Sequence, residues 1–486
     1  MRILYIDIDS LRPDHLGCYG YHRATSPNID RIASQGVRFD NCYVSDAPCL
    51  PSRTALYTGM FGLHTGVVGH GGTAADLRIM GAGREFKDTI EMTALPSVLQ
   101  QGGWHTAMVS SFGQRHAARH FYAGFNEIYN PGHMGMDSVG DVLPPALQWL
   151  ETNASRDQWY LHVNFWDPHT PYRWPESYGN RFADSPLPEW LSSDVFAGHL
   201  KAAGPHTALD LNMYDDHVDP KYPMHNGALR NMDDLKRHID HYDTAIHHVD
   251  DAIGRLLAVL EKAGVLEDTA IIISADHAEN QGELGIYGEH ATADQGTCHI
   301  PLIIRWPGAQ CGTSDAALHY HLDLAPTMAG LLGLKVPPNW DGASYADTVI
   351  SGEKNGREYL VLSQCAHVCQ RSVRFDDYLY IRTYHDGFHL FPKEMLYDIT
   401  HDPFEQNDLA EKSQAVCHEA LAHLCDWQQD LMTRRKIEID PLWTVMKEEG
   451  PAHARPAHLR NYIPRLKATG RAEAARLLEE KYPFKP

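Results

Sequence analysis

The chain has 486 residues, 43% of them apolar and 22% charged, an ordinary globular composition long enough for a large core and roughly two to four domains. A net charge of −21 with no basic tail argues against nucleic-acid or general membrane-surface partners, so any pull on an anionic ligand has to be local. No apolar run is long enough to span a bilayer, Met1-Arg2 leads into strand-like sequence without a signal-peptide pattern, and nine cysteines lack framework spacing, so a cytoplasmic protein with reduced thiols is expected.

Residues 3–8 read as a buried, parallel-type strand. Asp7 and Asp9 lie two apart, so both carboxylates leave it on the same side. They stand at the end where open α/β sheets place ligands. The next informative segment is Cys49-Leu50-Pro51-Ser52-Arg53-Thr54-Ala55-Leu56-Tyr57-Thr58-Gly59. Pro51 suits a first helical turn, where an N–H would lack a partner anyway, and residues 52–58 are predicted to form a short helix ended by Gly59. Cys49 then sits at the helix N-terminus, where free N–H groups and the dipole favour an anion. Arg53, one turn on and on the same face, can donate to an anionic oxygen. A cysteine ahead of a helix is by itself commonly a small apolar core residue; the full string and the metal constellation below weigh against that.

Residues 160–165 read as a strand leading into Trp166-Asp167-Pro168-His169-Thr170-Pro171-Tyr172. Among 31 histidines, His169 is singled out by its strand-end position between prolines, and an imidazole can donate a proton near neutrality. Trp166, Tyr172 and Trp174 could stack on a sugar or aryl ring or pack in the core. Residues 173–232, rich in Pro, Asp, Gly, Trp and Tyr without periodicity, are expected to form a long insertion at the mouth of a site, a substrate-selecting lid.

A helix is predicted over 233–263, where Ile239, Tyr242, Ile246, Val249, Ile253, Leu256 and Leu260 form one apolar stripe ahead of Gly264. The strand-like run that follows ends in Asp276-His277. Charges buried there need a partner. Carboxylate oxygens with one imidazole suit a hard divalent cation, Ca²⁺ ahead of Mg²⁺ or Mn²⁺.

Strands alternate with helices to about residue 335, which predicts a largely parallel sheet covered on both faces. From about 356 short strands are expected at 359–363, 372–375 and 378–383, in an antiparallel sheet followed by a helix near 411–435. The chain is accordingly divided into a catalytic domain, 1–355, and a C-terminal subdomain with helix and tail, 356–486. The tail from 437 is expected to cover a subunit surface, which would make the protein a homo-oligomer.

The string from Cys49 to Gly59 resembles the Cys-x-Pro-Ser-Arg…Thr-Gly signature of type I sulfatases, in the alkaline phosphatase superfamily, and the likeness extends over about residues 1–410. It implies an alkaline-phosphatase-like α/β fold, a large mostly parallel sheet between helices with a smaller C-terminal antiparallel-sheet subdomain. Residues 396–409 resemble the segment that closes that subdomain. The resemblance also implies that a formylglycine-generating maturase oxidises Cys49 to formylglycine. In the family mechanism the hydrated aldehyde attacks sulfur and expels the alcohol; its second hydroxyl then loses a proton, sulfate leaves and the aldehyde returns. Arg53 would hold the hydrate, and His169 would bind sulfate and protonate the departing oxygen.

Asp9, Asp276 and His277 match the family's metal ligands, but Ser10 stands where many members have a second aspartate. Asp7 is either the substitute or a hydrogen-bonded residue behind the ligands. Two family lysines are also absent, at Ser110-Ser111-Phe112-Gly113 and at Gly288-Glu289-His290. Replacement cations are sought in His70, Arg115, His116 and His290, each of which also reads as a solvated surface residue. The expected reaction is hydrolysis of a sulfate ester or sulfamate, on a sulfated sugar by default and on an aryl or steroid sulfate next. The rivals are a phosphomonoester or phosphonate-ester hydrolase on the same fold and a non-catalytic sulfated-glycan binder; Cys49, Arg53, Asp276 and His277 speak against the latter.

Overall fold

Ile3, Leu4, Ile6 and Ile8 put apolar groups on both faces of Arg2–Ile8, which therefore fits only the middle of a covered sheet. The computed structural model describes residues 1–81 and 90–483 and places that strand between two parallel neighbours, Trp159–Phe165 and Thr269–Ser274. Among the described residues eight strands form this sheet, in the order Thr313–Tyr320, Val37–Tyr43, His299–Arg305, Thr269–Ser274, Arg2–Ile8, Trp159–Phe165, His105–Val109, Glu127–Tyr129. His299–Arg305 runs against its neighbours and the rest are parallel. The predicted amphipathic helix spans Met232–Lys262 and buries its whole stripe. Asn231 caps it by accepting from the Asp234 N–H, and Gly264 turns the chain away at φ +68°.

The smaller sheet runs Glu394–Asp398, Tyr378–His385, Cys369–Phe375, Tyr359–Gln364, Asp46–Ala47. Three of these strands extend the expected ones. Glu394–Asp398 falls in the segment matched only by resemblance, and Asp46–Ala47 comes from far upstream, pairing parallel with Ser363 and Gln364. The smaller sheet is thereby stitched to the segment that enters the Cys49 helix. Helix Gln414–Arg435 covers its outer face with Cys417, Ala420 and Leu424.

One expectation is corrected. The nucleophile helix spans Cys49–Thr58, starting three residues earlier than predicted, because the Ser52 N–H donates to the Pro48 carbonyl and closes the first turn around Cys49. The tail forms helices Pro441–Lys447, Pro456–Ala468 and Ala472–Lys481, which pack onto its own chain. Leu459, Tyr462, Ile463 and Leu466 pack there with Ala203 and Phe388, and buried Asp210 of the insertion accepts from Tyr462 and Arg471, both at 2.6 Å. The nine cysteines are free thiols.

Candidate active site

Asp9 follows the central strand and Asp276 follows its parallel neighbour. Asp7 pairs with Ser274 in that register, so each aspartate lies two residues beyond a matched pair and both enter the same crevice. His277 Nε2 is 3.7 Å from Asp9 Oδ1 and 3.4 Å from Asp276 Oδ2. One ligand atom from each of Asp9, Asp276 and His277 falls within 4.8 Å of the others. All three are buried, and neither Asp276 oxygen nor His277 Nε2 has a hydrogen-bond partner. Burial beside Asp276 pushes Asp9 well above the ordinary carboxylate range, and burial lowers His277 to about 3. Two buried carboxylates, of which that of Asp276 accepts no hydrogen bond, and a neutral imidazole converging on one spot fit a divalent cation.

Asp7 leaves the strand on the same side as Asp9, as alternation requires, but stands behind this cluster. Its carboxylate meets the Arg53 guanidinium and lies 3.2 Å from His162 Nε2; His162 Nδ1 in turn is 2.8 Å from the Tyr57 hydroxyl. Arg53 reaches Asp9 at 2.9 Å and Asp276 at 3.1 Å, with its plane over Phe112 at 4.6 Å. The Ser110–Gly113 stretch, which lacks the family lysine, thus supplies the aromatic floor beneath Arg53.

Cys49 is fully buried at the start of its helix. Its Sγ lies 3.4 Å from His70 Nε2 and 3.6 Å from His116 Nε2, and a ring nitrogen of His277 and of His290 is also within 4.8 Å. Burial, reinforced by Asp9 and Asp276, pushes the thiol well above its usual range. Burial holds His70 well below the ordinary imidazole range and His116 at about 3, so both present neutral rings to residue 49.

His169 donates its Nδ1–H to the Thr170 carbonyl and leaves Nε2 unpartnered. Its ring is 5.3 Å from that of His290, which lies 4.0 Å from His277. Arg115 stands half-buried over Trp166 at 5.5 Å, and its charge acts on both Cys49 and Asp9. Trp166, Tyr172 and Trp174 are buried, with Trp166 lying under the two arginines, so the aromatic residues serve packing here.

Several residues were missed from sequence. Arg173 donates to the carbonyls of His169, Pro171 and Gly135 and fixes the histidine loop. Glu289 lies 2.9 Å from His290 Nδ1 and 3.2 Å from His206 Nε2. His162, His206, His367 and His453 join the same neighbourhood; nothing in local sequence separates them from the other histidines. The insertion reaches the site through His206, whose carbonyl accepts from the Tyr287 N–H. A cavity of about 410 Å³ opens there, lined by Thr170, Pro171, Asn212, Asp215, Tyr222 and His225 among others.

A family model described as Sulfatase matches residues 2–334. The chain belongs to the sulfatase family. A second model, N-sulphoglucosamine sulphohydrolase, C-terminal, matches 282–430 of this sulfatase. An N-acetylglucosamine-6-O-sulfatase of Bacteroides thetaiotaomicron is 25% identical over 486 aligned positions, covering 85% of this chain and 83% of that protein. The iduronate 2-sulfatase of Homo sapiens is 25% identical, with 70% of each chain covered. A solved protein in complex with its substrate D-glucosamine-2-N,6-O-disulfate superposes with a TM-score of 0.71, at 21% identity, over 90% of this chain and 99% of that one. The phosphonate monoester hydrolase of Agrobacterium radiobacter shares the fold at a TM-score of 0.67 and 20% identity, over 88% and 95% of the two chains. The alkaline-phosphatase-like architecture is therefore established, and the protein is a hydrolase of the sulfatase class.

Proposed function

We propose that the enzyme hydrolyses a sulfate ester on a sulfated carbohydrate, with formylglycine derived from Cys49 as nucleophile. The observation that carries this reading is the position of Cys49. It opens a helix whose next turn brings Arg53 between Asp9 and Asp276, with His277 Nε2 close to the same two carboxyl groups. A divalent cation held by Asp9, Asp276 and His277 would supply Lewis acidity at a sulfate oxygen and at the hydrate. Arg53, one turn beyond residue 49, would donate to the hydrate and to sulfate oxygens.

The residues then act in order. One hydroxyl of the hydrated residue 49 gives its proton to the neutral His116 imidazole, and its oxygen bonds to sulfur as the sulfur–oxygen bond to the sugar breaks. His169, which burial keeps neutral in the free protein, would take a proton on Nε2 as the anionic substrate binds and give it to the departing alcohol, its Nδ1–H staying fixed on the Thr170 carbonyl. Once His116 has passed the first hydroxyl's proton to water, the second hydroxyl of residue 49 loses its proton to the same neutral imidazole, sulfate leaves, and water rehydrates the aldehyde. A lone thiol, with its ionisation opposed by burial, does not provide this cycle.

Two observations support a sugar substrate: the sulfated-sugar names of the relatives, and the hydrogen-bonding lining of the cleft beside Thr170, with Asn212, Asp215 and Tyr222. In the test, protein made with a formylglycine-generating maturase is assayed on 6-O-sulfated N-acetylglucosamine, nitrophenyl sulfate, nitrophenyl phosphate and a phosphonate monoester. Sulfate release that disappears in Cys49→Ala supports the reading. Preference for the phosphoryl substrates overturns it.

A further inference from the structure

His70 has two working sides. Nε2 faces Cys49, and Nδ1 points the other way, 3.3 Å from His453 Nε2. The His453 ring stacks on His367 with centroids 4.3 Å apart, and each of His70, His367 and His453 brings one ring nitrogen within 4.8 Å of the others. The three come from distant parts of the chain: the loop beyond the Cys49 helix, the turn after Tyr359–Gln364 of the smaller sheet, and the tail.

Each segment is fixed in place. The His453 N–H donates to the Ala366 carbonyl, and the His453 carbonyl accepts from the Tyr214 hydroxyl of the insertion at 2.6 Å. Gln364 Oε1 accepts from the Ala366 and His367 N–H groups while its amide donates to the His290 carbonyl. Gly69 lets the His70 loop approach, since a Cβ there would stand 3.0 Å from the Cys365 carbonyl oxygen.

The donor atoms are not otherwise used. His367 is 3% exposed and its Nδ1 has no hydrogen-bond partner, while its Nε2 lies 3.8 Å from Glu289 Oε1. At that distance the Glu289 carboxylate makes no hydrogen bond to the ring but places negative charge behind it. Burial pushes His70 and His367 well below the usual imidazole range and His453 to about 4, so all three keep a lone pair at neutral pH. Three neutral imidazoles suit a borderline ion of the zinc type, unlike the carboxylate-rich set of Asp9, Asp276 and His277.

We propose that His70, His367 and His453 form a second metal site, which takes a borderline divalent transition-metal ion, Zn²⁺ first. With Nδ1 on the ion, His70 carries its proton on Nε2 and presents a fixed donor to residue 49 and to the anion bound there. The ion also puts positive charge one imidazole away from the nucleophile, where the family lysines are missing. This consequence rests on the proposed sulfate chemistry, whereas ion binding itself does not.

The test uses the full-length chain carrying Asp276→Asn to disable the acidic site, stripped with a chelator and titrated with Co²⁺ alone, with Zn²⁺ content measured in parallel. The expected result is about one bound ion per chain, with the intense visible absorption of a tetrahedral cobalt centre. That ion is lost in His367→Asn and, at the half-buried tail position, in His453→Gln, with near-UV circular dichroism retained. If His367→Asn misfolds, His453→Gln decides alone. No tetrahedral cobalt spectrum, or one unchanged by His453→Gln, overturns the site. Sulfate release by the unmutated chain without imidazole-bound cobalt overturns the site and leaves the proposed function standing; cobalt binding without sulfate release does the reverse.

Discussion

Arg53 bridges Asp9 and Asp276, at 2.9 Å and 3.1 Å, across the ends of two parallel strands, and its guanidinium also meets Asp7 behind them. One buried guanidinium thus offsets part of the charge of three buried carboxyl groups. Arg53→Ala should destabilise the chelator-treated protein by about 3–5 kcal/mol, the usual cost of leaving buried charges uncompensated, and abolish sulfate release. Urea unfolding with and without added divalent cation checks this. A variant as stable as the parent in chelator would contradict the charge balance.

Removing the acidic-site metal should stop turnover without unfolding the enzyme. Chelation, Asp276→Asn and His277→Ala should each reduce sulfate release by at least about 100-fold, and adding back Ca²⁺, Mg²⁺ or Mn²⁺ should rescue only the chelated parent. Full activity in His277→Ala would remove it from the ligand set.

Arg115 and His70 stand nearest to the role of the missing lysines. Arg115→Ala and His70→Ala should each lower kcat by about 100-fold, the scale of losing one preorganised donor to a developing anion, with melting temperature little changed. Near-normal kinetics in both variants would show that the sulfate is held by other groups.

Much of this arrangement is legible in sequence, for physical reasons. Alternation puts Asp7 and Asp9 on one side of a strand, and helical spacing puts Arg53 on the face of Cys49. Strand ends bring Asp9 and Asp276 into one crevice. Residues supplied by irregular chain are not legible in this way. Arg173, Glu289, His367 and His453 lie in loops or at element ends, where no period fixes direction, and 31 histidines hide the few that converge. Asp46–Ala47 is too short to register as a strand and gains its place only by pairing with Ser363 and Gln364. The intrachain partner of the tail is not legible either, because apolar residues such as Leu459 and Leu466 would fit a neighbouring subunit as well as the Ala203–Phe388 surface they cover.

The tail and insertion are joined through Asp210, which is fully buried and accepts from Tyr462, Arg465 and Arg471. Asp210→Ala leaves Arg471 buried without its partner and should cost about 3–5 kcal/mol. Tyr462→Phe should cost about 1 kcal/mol. Limited proteolysis should release the tail first in Asp210→Ala. An unaltered digestion pattern would mean that apolar packing alone holds it.

Buried histidines away from the metal residues make the fold acid-sensitive. Burial lowers His120 and His299 to about 4 from an ordinary 6.5. Between those values the unfolded chain binds protons that the folded chain refuses, so stability present above pH 6.5 is lost as pH falls toward 4. Urea midpoints should fall over that window, and His120→Asn should flatten the slope. A pH-independent midpoint between 4 and 6.5 would contradict neutral burial.

The account turns on what stands at position 49. Peptide mass spectrometry across that residue, on protein made with a formylglycine-generating maturase, should find the aldehyde or its hydrate in the fraction that releases sulfate. Unmodified cysteine in an active preparation, with a control sulfatase converted in the same cells, would contradict it.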